Sequence, residues 1–500
     1  MRVLVIGLDG ACMDLIEHWA NEGKLPTFKK LMSEGAYGKL ESIIPTLSIP
    51  AWNCLTTGKN PGKIGCFSFL QKAYKSYDFH VYSAMVKKER NVWDILSDYG
   101  KKVFVFNPIN ILSAYRINGW MVAGCLCPSE ERLTYPKGLK KELYEMGYEN
   151  DIGDFKTVMT LTDKQFYKKN REITEKYFNI VRNFFLKKDW DFGFFVINEL
   201  DRLQHRFWNK KSIILKLYQN IDTKLSKILS ELDDETTVIV VSDHGFRANK
   251  RIFLINEWLM RKGYLKVKEM TVSEKAVKII LYILRRPLLL KMLRPMMRRS
   301  YLLQRLHYTL FQTIGRIPII WEETRAFSSP LGAIYINMRN REPRGIVAEE
   351  EYEKLREEII EELRKISVKA HKGEELYCGE YMKLSPDIVI EIDENTTALS
   401  SRLGYGKIFL EGEGGNHRRE NGIFFAYGPD IKNKKINAKI YDIAPTILHM
   451  FGIPIPKEMD GRVLEEIFVP KSSKRVSSFL SEKERIRKKV RMLTYRRGRK

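Results

Sequence analysis

The stretch VVSDHGF, residues 240–246, ends an apolar run with an acid and a histidine side by side. The β-branched residues before Asp243 predict a strand buried on both faces, as in a parallel sheet. Similar apolar runs alternate with segments of helical periodicity over most of the chain. This alternation predicts an α/β fold, with a mainly parallel central sheet between two layers of helices.

The predicted strands are Arg2–Gly7, Lys102–Phe106, Gly193–Asn198, Thr237–Ser242, Ala333–Met338, Asp387–Ile392 and Gly422–Tyr427. The predicted helices are Met13–Glu34, Lys164–Leu186, Ile213–Leu232 and Glu349–Ile366.

Other acids and histidines also lie at the ends of predicted strands. Asp9 follows the run VLVIG, and Asp201 follows FFVINEL, with His205 four residues later. His417 lies in the glycine-rich segment GEGGNH, just before the apolar run IFFAY. Ligands of parallel α/β sheets collect beyond the carboxyl ends of the strands. We therefore expect these side chains to lie together with Asp243 and His244.

Such a cluster predicts metal binding. Carboxylates that are crowded and buried repel one another unless a cation compensates them. Mixed Asp and His ligands suit a divalent transition metal, most often zinc, with manganese as the alternative. Three Asp and three His exceed the needs of one tetrahedral ion, so we predict two ions. Taken singly, the pairs have simpler interpretations: a capped turn at Asp243–His244 and a helical side-chain pair at Asp201–His205.

The candidate nucleophile lies in PTLSIPAWNCLTTGKNPGK, residues 45–63. Ser48 stands two residues before Pro50, and proline marks the first turn of a helix. A hydroxyl at this place faces the positive end of the helix dipole. Coordination to a metal ion would lower the pKa of the Ser48 hydroxyl and make it a nucleophile at neutral pH. A helix cap is the simpler role for Ser48. Thr46 is the alternative nucleophile.

Five motifs occur in order along the chain: GLDG, PTLSIPAWNCLTTGKNPGKIG, ELDRLQH, SDHGF and GGNH. Together they resemble the alkaline-phosphatase superfamily, and within it the type I phosphodiesterase/nucleotide pyrophosphatase branch. The resemblance implies that Asp9, Asp243 and His244 hold one zinc ion beside the nucleophile. It implies a second ion at Asp201, His205 and His417. Ser48 takes the nucleophile position, where this branch usually has threonine, and would form a phosphoserine.

Two departures from this family concern the binding of the phosphoryl group. The branch usually has His and then Gly after the TG loop, whereas this chain has Ile64 before Gly65. The branch then has an Asn that donates to a phosphoryl oxygen, whereas this chain has GCFSF at residues 65–69. Candidate replacements are the backbone N–H groups near Ile49 and the side chains of Asn53, Lys59 and Asn107.

The net charge of +24 is concentrated in two segments. Residues 275–321 carry ten Lys or Arg and no acid, and residues 471–500 carry thirteen against two Glu. We therefore divide the chain into a catalytic domain, 1–264 with 321–470, a basic amphipathic helical insertion or cap, 265–320, and a basic tail, 471–500. Residues 275–306 and the tail are predicted to contact an anionic membrane surface, with nucleic acid as the weaker alternative.

These patterns predict a metal-dependent phosphodiester or pyrophosphate hydrolase with a serine nucleophile, acting on a membrane-associated substrate. A phosphomonoesterase or phosphoryl-group transferase is the alternative within the superfamily. A non-catalytic protein that binds membranes or nucleic acid is the alternative of another class. The early Asp9 and the absence of long apolar runs predict a cytoplasmic protein. The basic segments predict that it is peripheral at the inner face of the membrane. No CxPxR or SxPxR signature marks a sulfatase.

Overall fold

A mostly parallel sheet forms the centre of the fold. The structure, a computed structural model, describes residues 1–81, 89–151, 158, 161–269, 318–329, 331–470 and 479–480. Five parallel strands lie side by side in the order Thr236–Val241, Arg2–Leu8, Phe192–Ile197, Val103–Phe106 and Gly119–Val122. Flanking strands of the same sheet are Thr134–Tyr135 at one edge, and Gly422–Tyr427, Ala36–Glu41, Lys434–Lys435 and Ala438–Lys439 at the other.

Helices cover both faces of this sheet. Side chains of a strand alternate between its two faces, and here the side chains on both faces are apolar. Val3 and Val5 pack into one apolar core, and Leu4 and Ile6 pack into the other. The first core includes the helices Ser48–Thr57, Val92–Asp98 and Ile443–Met450. The second includes the helices Met13–Asn21, Pro26–Glu34, Asp163–Ile180, Glu199–Phe207 and Lys211–Leu229. The predicted α/β/α sandwich is confirmed.

A smaller antiparallel sheet has its own apolar core. It consists of the strands Ala326–Ser328, Ala333–Ile336, Ile388–Ile390 and Ala370–Lys372. The helices Ile255–Arg261 and Glu349–Arg364 contribute Trp258 and Ile359 to the core that covers this sheet. The predicted strand at 387–392 therefore belongs to a second sheet and not to the central one.

The remaining described elements are short. Paired strands are Leu70–Lys72 with Phe79–Val81, Gly245–Ala248 with Gly415–Arg418, and Ile455–Pro456 with Phe479–Leu480. A three-stranded sheet contains Ala398–Ser400, Arg251–Leu254 and Phe409–Glu411. Short helices span Pro61–Ile64, Leu139–Glu145 and Gly373–Leu376.

Local chemistry explains where the observed helices differ from the predicted ones. The helix predicted over residues 13–34 is divided, since Gly23 has a positive φ of 74° and Pro26 begins a second helix. The long helix that begins at Asp163 is capped by Thr162, whose side chain accepts from the Gln165 amide. At its other end the helix passes into a π-helical turn, Val181–Phe185.

The predicted basic segments lie almost wholly outside the described residues, since the structure describes neither 270–317 nor 481–500. Within the described ranges, no helix is both long and apolar enough to cross a membrane.

Candidate active site

Three aspartates lie at the carboxyl edge of the central sheet. Asp9 follows the strand Arg2–Leu8, and its amide still donates to the Ile197 carbonyl of the neighbouring strand at 3.0 Å. Asp243 follows the strand on the other side of Arg2–Leu8, and its Oδ1 accepts from the Gly10 amide at 3.2 Å. Asp201 lies in the first turn of the helix that follows Phe192–Ile197. The sheet order therefore places the three carboxylates side by side, as predicted.

His417 reaches the same edge by a different route from the one expected for a parallel sheet. The strand Gly422–Tyr427 runs antiparallel to its neighbour, with Phe424 opposite Val241. Its amino end thus lies where the parallel strands have their carboxyl ends. Just before it, the strand Gly415–Arg418 pairs with Gly245–Ala248. The His417 and His244 rings stack there, with centroids 3.7 Å apart.

The glycine-rich segment before His417 is needed for this approach. Gly414 has a φ of 73°, and a Cβ at this position would overlap the His205 carbonyl oxygen. At Gly415 a Cβ would lie 2.7 Å from the Gln204 carbonyl oxygen. Glycine is the residue that permits such contacts between backbones. The segment can therefore lie directly against the helix Glu199–Phe207, which carries Asp201 and His205.

All three histidines are oriented by a backbone carbonyl. The Nδ1 atoms of His205, His244 and His417 lie 2.9, 3.0 and 2.8 Å from the carbonyl oxygens of Gly415, Gly245 and Thr46, respectively. A carbonyl oxygen can only accept, so each Nδ1 carries the proton. In the neutral ring the Nε2 lone pair is then available to a cation.

The Nε2 atoms of His205 and His417 and the carboxylate of Asp201 form one compact group. The two nitrogens are 3.1 Å apart, and each lies 3.4 Å from Asp201 Oδ1. Ligands of a tetrahedral zinc ion, at about 2.0–2.1 Å from the metal, lie about 3.3 Å from one another. The spacing of these three atoms therefore suits one such ion.

A second group lies beside the first. His244 Nε2 is 3.2 Å from Asp243 Oδ2 and 3.7 Å from Asp9 Oδ1. Asp9, Asp243 and His244 are buried and meet the spacing of a metal site, and so does a group of Asp201, His244 and His417. His244 thus lies between the two groups. Within the described part of the chain, Asp9 Oδ1, Asp243 Oδ2 and Asp201 Oδ1 are buried and accept no hydrogen bond.

The pKa shifts of these groups indicate that the site favours a bound cation. Burial, reinforced by the neighbouring carboxylates, raises the pKa of Asp9 well above its usual range and that of Asp243 to about 8. Burial also opposes ionisation of Asp201, but its contacts with His205 and His417 lower the pKa of this carboxyl well below its usual range. Burial, together with His417, lowers the pKa of His244 well below its usual value. Bound divalent cations would offset the repulsion among the three carboxylates.

Ser48 lies against this cluster. It is the first residue of its helix, and the N-cap position belongs to Leu47. Its Oγ lies 3.1 Å from His244 Nε2, which, being unprotonated, accepts from the hydroxyl. The half-buried hydroxyl is thus held beside the group of Asp9, Asp243 and His244, at the positive end of a helix.

The other candidates have partners within the fold. The Thr46 hydroxyl is buried and donates to the Ile43 carbonyl at 3.0 Å. Asn53 is buried and donates to the Ile49 carbonyl at 2.9 Å, and Lys59 Nζ is 2.5 Å from Glu89 Oε2. Asn107 donates to the Val196 carbonyl at 2.9 Å. A substrate-binding role for Asn53, Lys59 and Asn107 stays a prediction.

The sequence patterns did not indicate two residues that support the site. Trp52 Nε1 donates to Asp9 Oδ2 at 3.0 Å. Gln204 Nε2 donates to the Gly10 carbonyl at 2.7 Å. Trp52 lies four residues after Ser48 on the same helix, and this spacing is the one signal that could have indicated a shared face.

Comparisons with solved structures find proteins of similar fold. Murine ectonucleotide pyrophosphatase/phosphodiesterase 5 is similar in structure, with a TM-score of 0.53 and 14% identity over 94% of this chain and 100% of that one. An inactive form of the murine protein in complex with AMP has a TM-score of 0.52 and 14% identity over 91% of this chain and 95% of that one. Phosphonoacetate hydrolase from Sinorhizobium meliloti 1021, in complex with phosphonoformate, has a TM-score of 0.54 and 15% identity over 89% of this chain and 94% of that one. These likenesses show the fold.

No curated protein sequence matches the chain. The sequence does match the model of the family described as type I phosphodiesterase / nucleotide pyrophosphatase, over residues 3–417. That range contains every predicted metal ligand and Ser48. The chain therefore belongs to the type I phosphodiesterase/nucleotide pyrophosphatase family of the alkaline-phosphatase superfamily and is a phosphoric-ester hydrolase.

Proposed function

We propose that this protein hydrolyses phosphodiesters or pyrophosphates, with Ser48 as nucleophile and two divalent ions, zinc in the first instance. The observation that carries the proposal is the orientation of the three imidazoles. Each donates Nδ1–H to a carbonyl and directs Nε2 at carboxylate oxygens that accept no hydrogen bond from the described residues. Buried lone pairs that face one another are costly unless a cation lies between them.

The donor set fits two ions. Asp9, Asp243 and His244, with the Ser48 hydroxyl 3.1 Å from His244 Nε2, would hold one ion. Asp201, His205 and His417 would hold the other, at ligand spacings of 3.1 and 3.4 Å. Nitrogen ligands on both ions favour zinc over magnesium. When bound, such ions lower the pKa of a coordinated hydroxyl and neutralise the charge of a transferring phosphoryl group.

The role of the chain itself is to place the Ser48 hydroxyl for in-line attack. Ser48 Oγ forms a bond to phosphorus while the bond from phosphorus to the leaving oxygen breaks. The serine proton passes to solvent, and the leaving oxygen takes up a proton. Water then breaks the phosphoserine bond, restores the Ser48 hydroxyl and releases the phosphorylated product. The positive end of the helix Ser48–Thr57 favours the anionic substrate throughout.

The structural neighbours support a substrate that contains a phosphoryl or phosphonyl group. One solved relative holds AMP, a phosphate monoester, and another holds phosphonoformate. The family name covers both diesters and pyrophosphates. Hydrolysis of a monoester, or transfer of the phosphoryl group to another acceptor, would use the same serine and the same ions.

Turnover of two chromogenic esters tests the proposal. We expect purified protein to contain two equivalents of metal and to hydrolyse bis-p-nitrophenyl phosphate faster than p-nitrophenyl phosphate. Treatment with a chelator should abolish turnover, and added zinc should restore it. Protein that contains no metal after purification and turns over neither ester when zinc is supplied would contradict the proposal.

We also propose that the substrate is presented at an anionic membrane surface, and that the protein is cytoplasmic and peripheral. The support is compositional. Segments 275–321 and 471–500 account for +10 and +11 of the net charge of +24, so the other 423 residues carry only +3. Basic segments of this kind are attracted to anionic lipid.

A further inference from the structure

A buried polar network lies behind the two groups of metal-binding side chains. Its members are Gln204, Tyr218 and Cys12, all of them fully buried. The predicted roles of the site residues use none of the three. Buried polar side chains that bond to one another fix local geometry, because breaking any one bond leaves a partner unsatisfied.

Gln204 connects the two segments that carry the two groups. It lies three residues after Asp201 and immediately before His205, on the helix Glu199–Phe207. Its Nε2 donates to the Gly10 carbonyl at 2.7 Å. Gly10 follows Asp9, and its own amide donates to Asp243 Oδ1 at 3.2 Å. One amide side chain thus spans from the helix of one group to the loop of the other.

Tyr218 and Cys12 extend the connection to the histidine strands. The Tyr218 hydroxyl donates to Gln204 Oε1 at 3.2 Å and accepts from the Cys12 amide at 2.9 Å. Cys12 Sγ accepts from the Phe246 amide at 3.0 Å. Phe246 pairs with His417 across the two short strands. The segments that carry Asp9, Asp201 with His205, and Asp243 with His244 are therefore bonded to the network through Gly10, Gln204 and Phe246, and the strand of His417 pairs with Phe246.

The backbone at Gly10 is shaped for this network. Its φ is 71°, and a Cβ there would lie 2.7 Å from the Phe246 ring and 3.2 Å from Gln204 Nε2. A side chain at this position would therefore separate Gln204 from the carbonyl that it binds. The absence of a side chain leaves the space that the amide occupies.

We infer that Gln204 is a positioning residue which, through Gly10, Tyr218 and Cys12, sets the distance between the two metal-binding groups and so couples the binding of the two ions. The inference rests on the proposed function, because it requires both groups to bind metal. Replacement of side chains that do not bind the metal but orient its ligands typically lowers metal affinity by about 10- to 100-fold.

The test compares Tyr218→Phe and Gln204→Met with Tyr177→Phe. Tyr177 is a matched control, because it is equally buried and its hydroxyl donates to the carbonyls of Glu149 and Asn150, outside the network. Chelator-treated proteins are titrated with zinc by calorimetry. Cobalt titrations followed by visible absorption report the ligand geometry separately from activity. Melting temperatures of the metal-free proteins report folding.

We expect Tyr218→Phe and Gln204→Met to weaken binding of the second ion by about 10- to 100-fold and to change the cobalt spectrum, with Tyr177→Phe unchanged. Equal zinc affinities and spectra in Tyr218→Phe, Tyr177→Phe and the unmodified protein would overturn the inference. Should Gln204→Met fail to fold, Tyr218→Phe alone decides. If the unmodified protein bound no zinc, the proposed function itself would fail, which is a distinct result.

Discussion

Ser48 is the first residue of its helix, and its hydroxyl contacts His244 Nε2 at 3.1 Å. The N-cap position, where a serine would commonly satisfy a free amide of the first turn, belongs to Leu47. Here the hydroxyl faces a ring nitrogen whose pKa burial has lowered, with His417 adding to the effect. The Ser48 hydroxyl therefore has a basic partner, whereas the Thr46 hydroxyl donates to a backbone carbonyl. This difference favours Ser48 over Thr46 as the nucleophile.

Replacement of Ser48 tests this distinction. We expect Ser48→Ala to lower kcat for bis-p-nitrophenyl phosphate at least about 10³-fold, because no nucleophile replaces the lost hydroxyl. Ser48→Thr should keep at least about a tenth of the rate, since it keeps the hydroxyl. Thr46→Ala serves as the control and should change kcat by less than about threefold. Steady-state rates and metal content of the three variants check this, and a Ser48→Ala enzyme within tenfold of the unmodified rate would exclude Ser48 as the nucleophile.

Single residues also show what the sequence can predict. Asp9, Asp201 and Asp243 could be located because each follows an apolar run, and the carboxyl ends of parallel strands share an edge. Gln204 could not be located, since a glutamine between Leu203 and His205 has the same pattern as a surface residue of any helix. Its role depends on the position of Tyr218, fourteen residues away, which no local pattern determines.

At the scale of elements, the strand direction decides how His417 enters the site. The strand Gly422–Tyr427 was predicted at its observed bounds, but its antiparallel direction was not. A fully buried apolar run has the same pattern in either direction. The glycines before His417 were a better signal, because close approach of two backbones demands them. The strand Gly415–Arg418 is thus held by pairing on one side and by contact with a helix on the other.

Gly414→Ala should therefore damage the site more than an equally strained substitution elsewhere. Gly414 and Gly406 have φ angles of 73° and 64°, so alanine is disfavoured at both. Only at Gly414 would the added Cβ overlap another residue, the His205 carbonyl, whereas nothing lies within 4 Å at Gly406. We expect Gly414→Ala to lower kcat/KM at least about tenfold and to reduce metal content towards one equivalent. Gly406→Ala should stay within about twofold of the unmodified enzyme. Kinetics and metal analysis decide, and equal losses in the two variants would show that strain alone matters.

At the scale of the whole molecule, the basic segments and the predicted site residues lie in different parts of the chain. The sequence outside 275–321 and 471–500 is close to neutral and contains every predicted ligand. The fold of this part could be predicted from alternating apolar patterns. The second antiparallel sheet could not be assigned in the same way, since short strands such as Ile388–Ile390 resemble those of the central sheet. Their separation from the central sheet depends on long-range pairing.

Vesicle flotation tests the basic segments. We expect the protein to float with vesicles that contain anionic lipid and to remain behind with neutral vesicles, because each Lys or Arg near such a surface contributes about 1 kcal/mol. Binding should fall steeply as salt is raised, since screening shortens the range of the attraction. Removal of residues 471–500 takes away a net charge of +11 and should weaken flotation while leaving turnover of a soluble ester unchanged. Flotation that is insensitive to salt and to this truncation would assign the tail no part in membrane binding.

Metal removal should lower the stability of the whole fold. Asp9, Asp243 and His244 are buried together, and only the folded chain brings them to within ligand distance of one another. An ion that binds the folded state alone stabilises it by about 2.7 kcal/mol per site at a hundredfold excess over Kd. Urea unfolding of chelated protein should therefore have a lower midpoint, which zinc restores and magnesium does not. His417→Ala should remove at least half of the zinc effect, because one group loses a ligand and binding at the other group is coupled to it. His80→Ala, at an exposed position, should leave it intact. If zinc left the midpoint of the unmodified protein unchanged, the crowded carboxylates would have to be accommodated by protonation, and the two-ion mechanism would lose its structural basis.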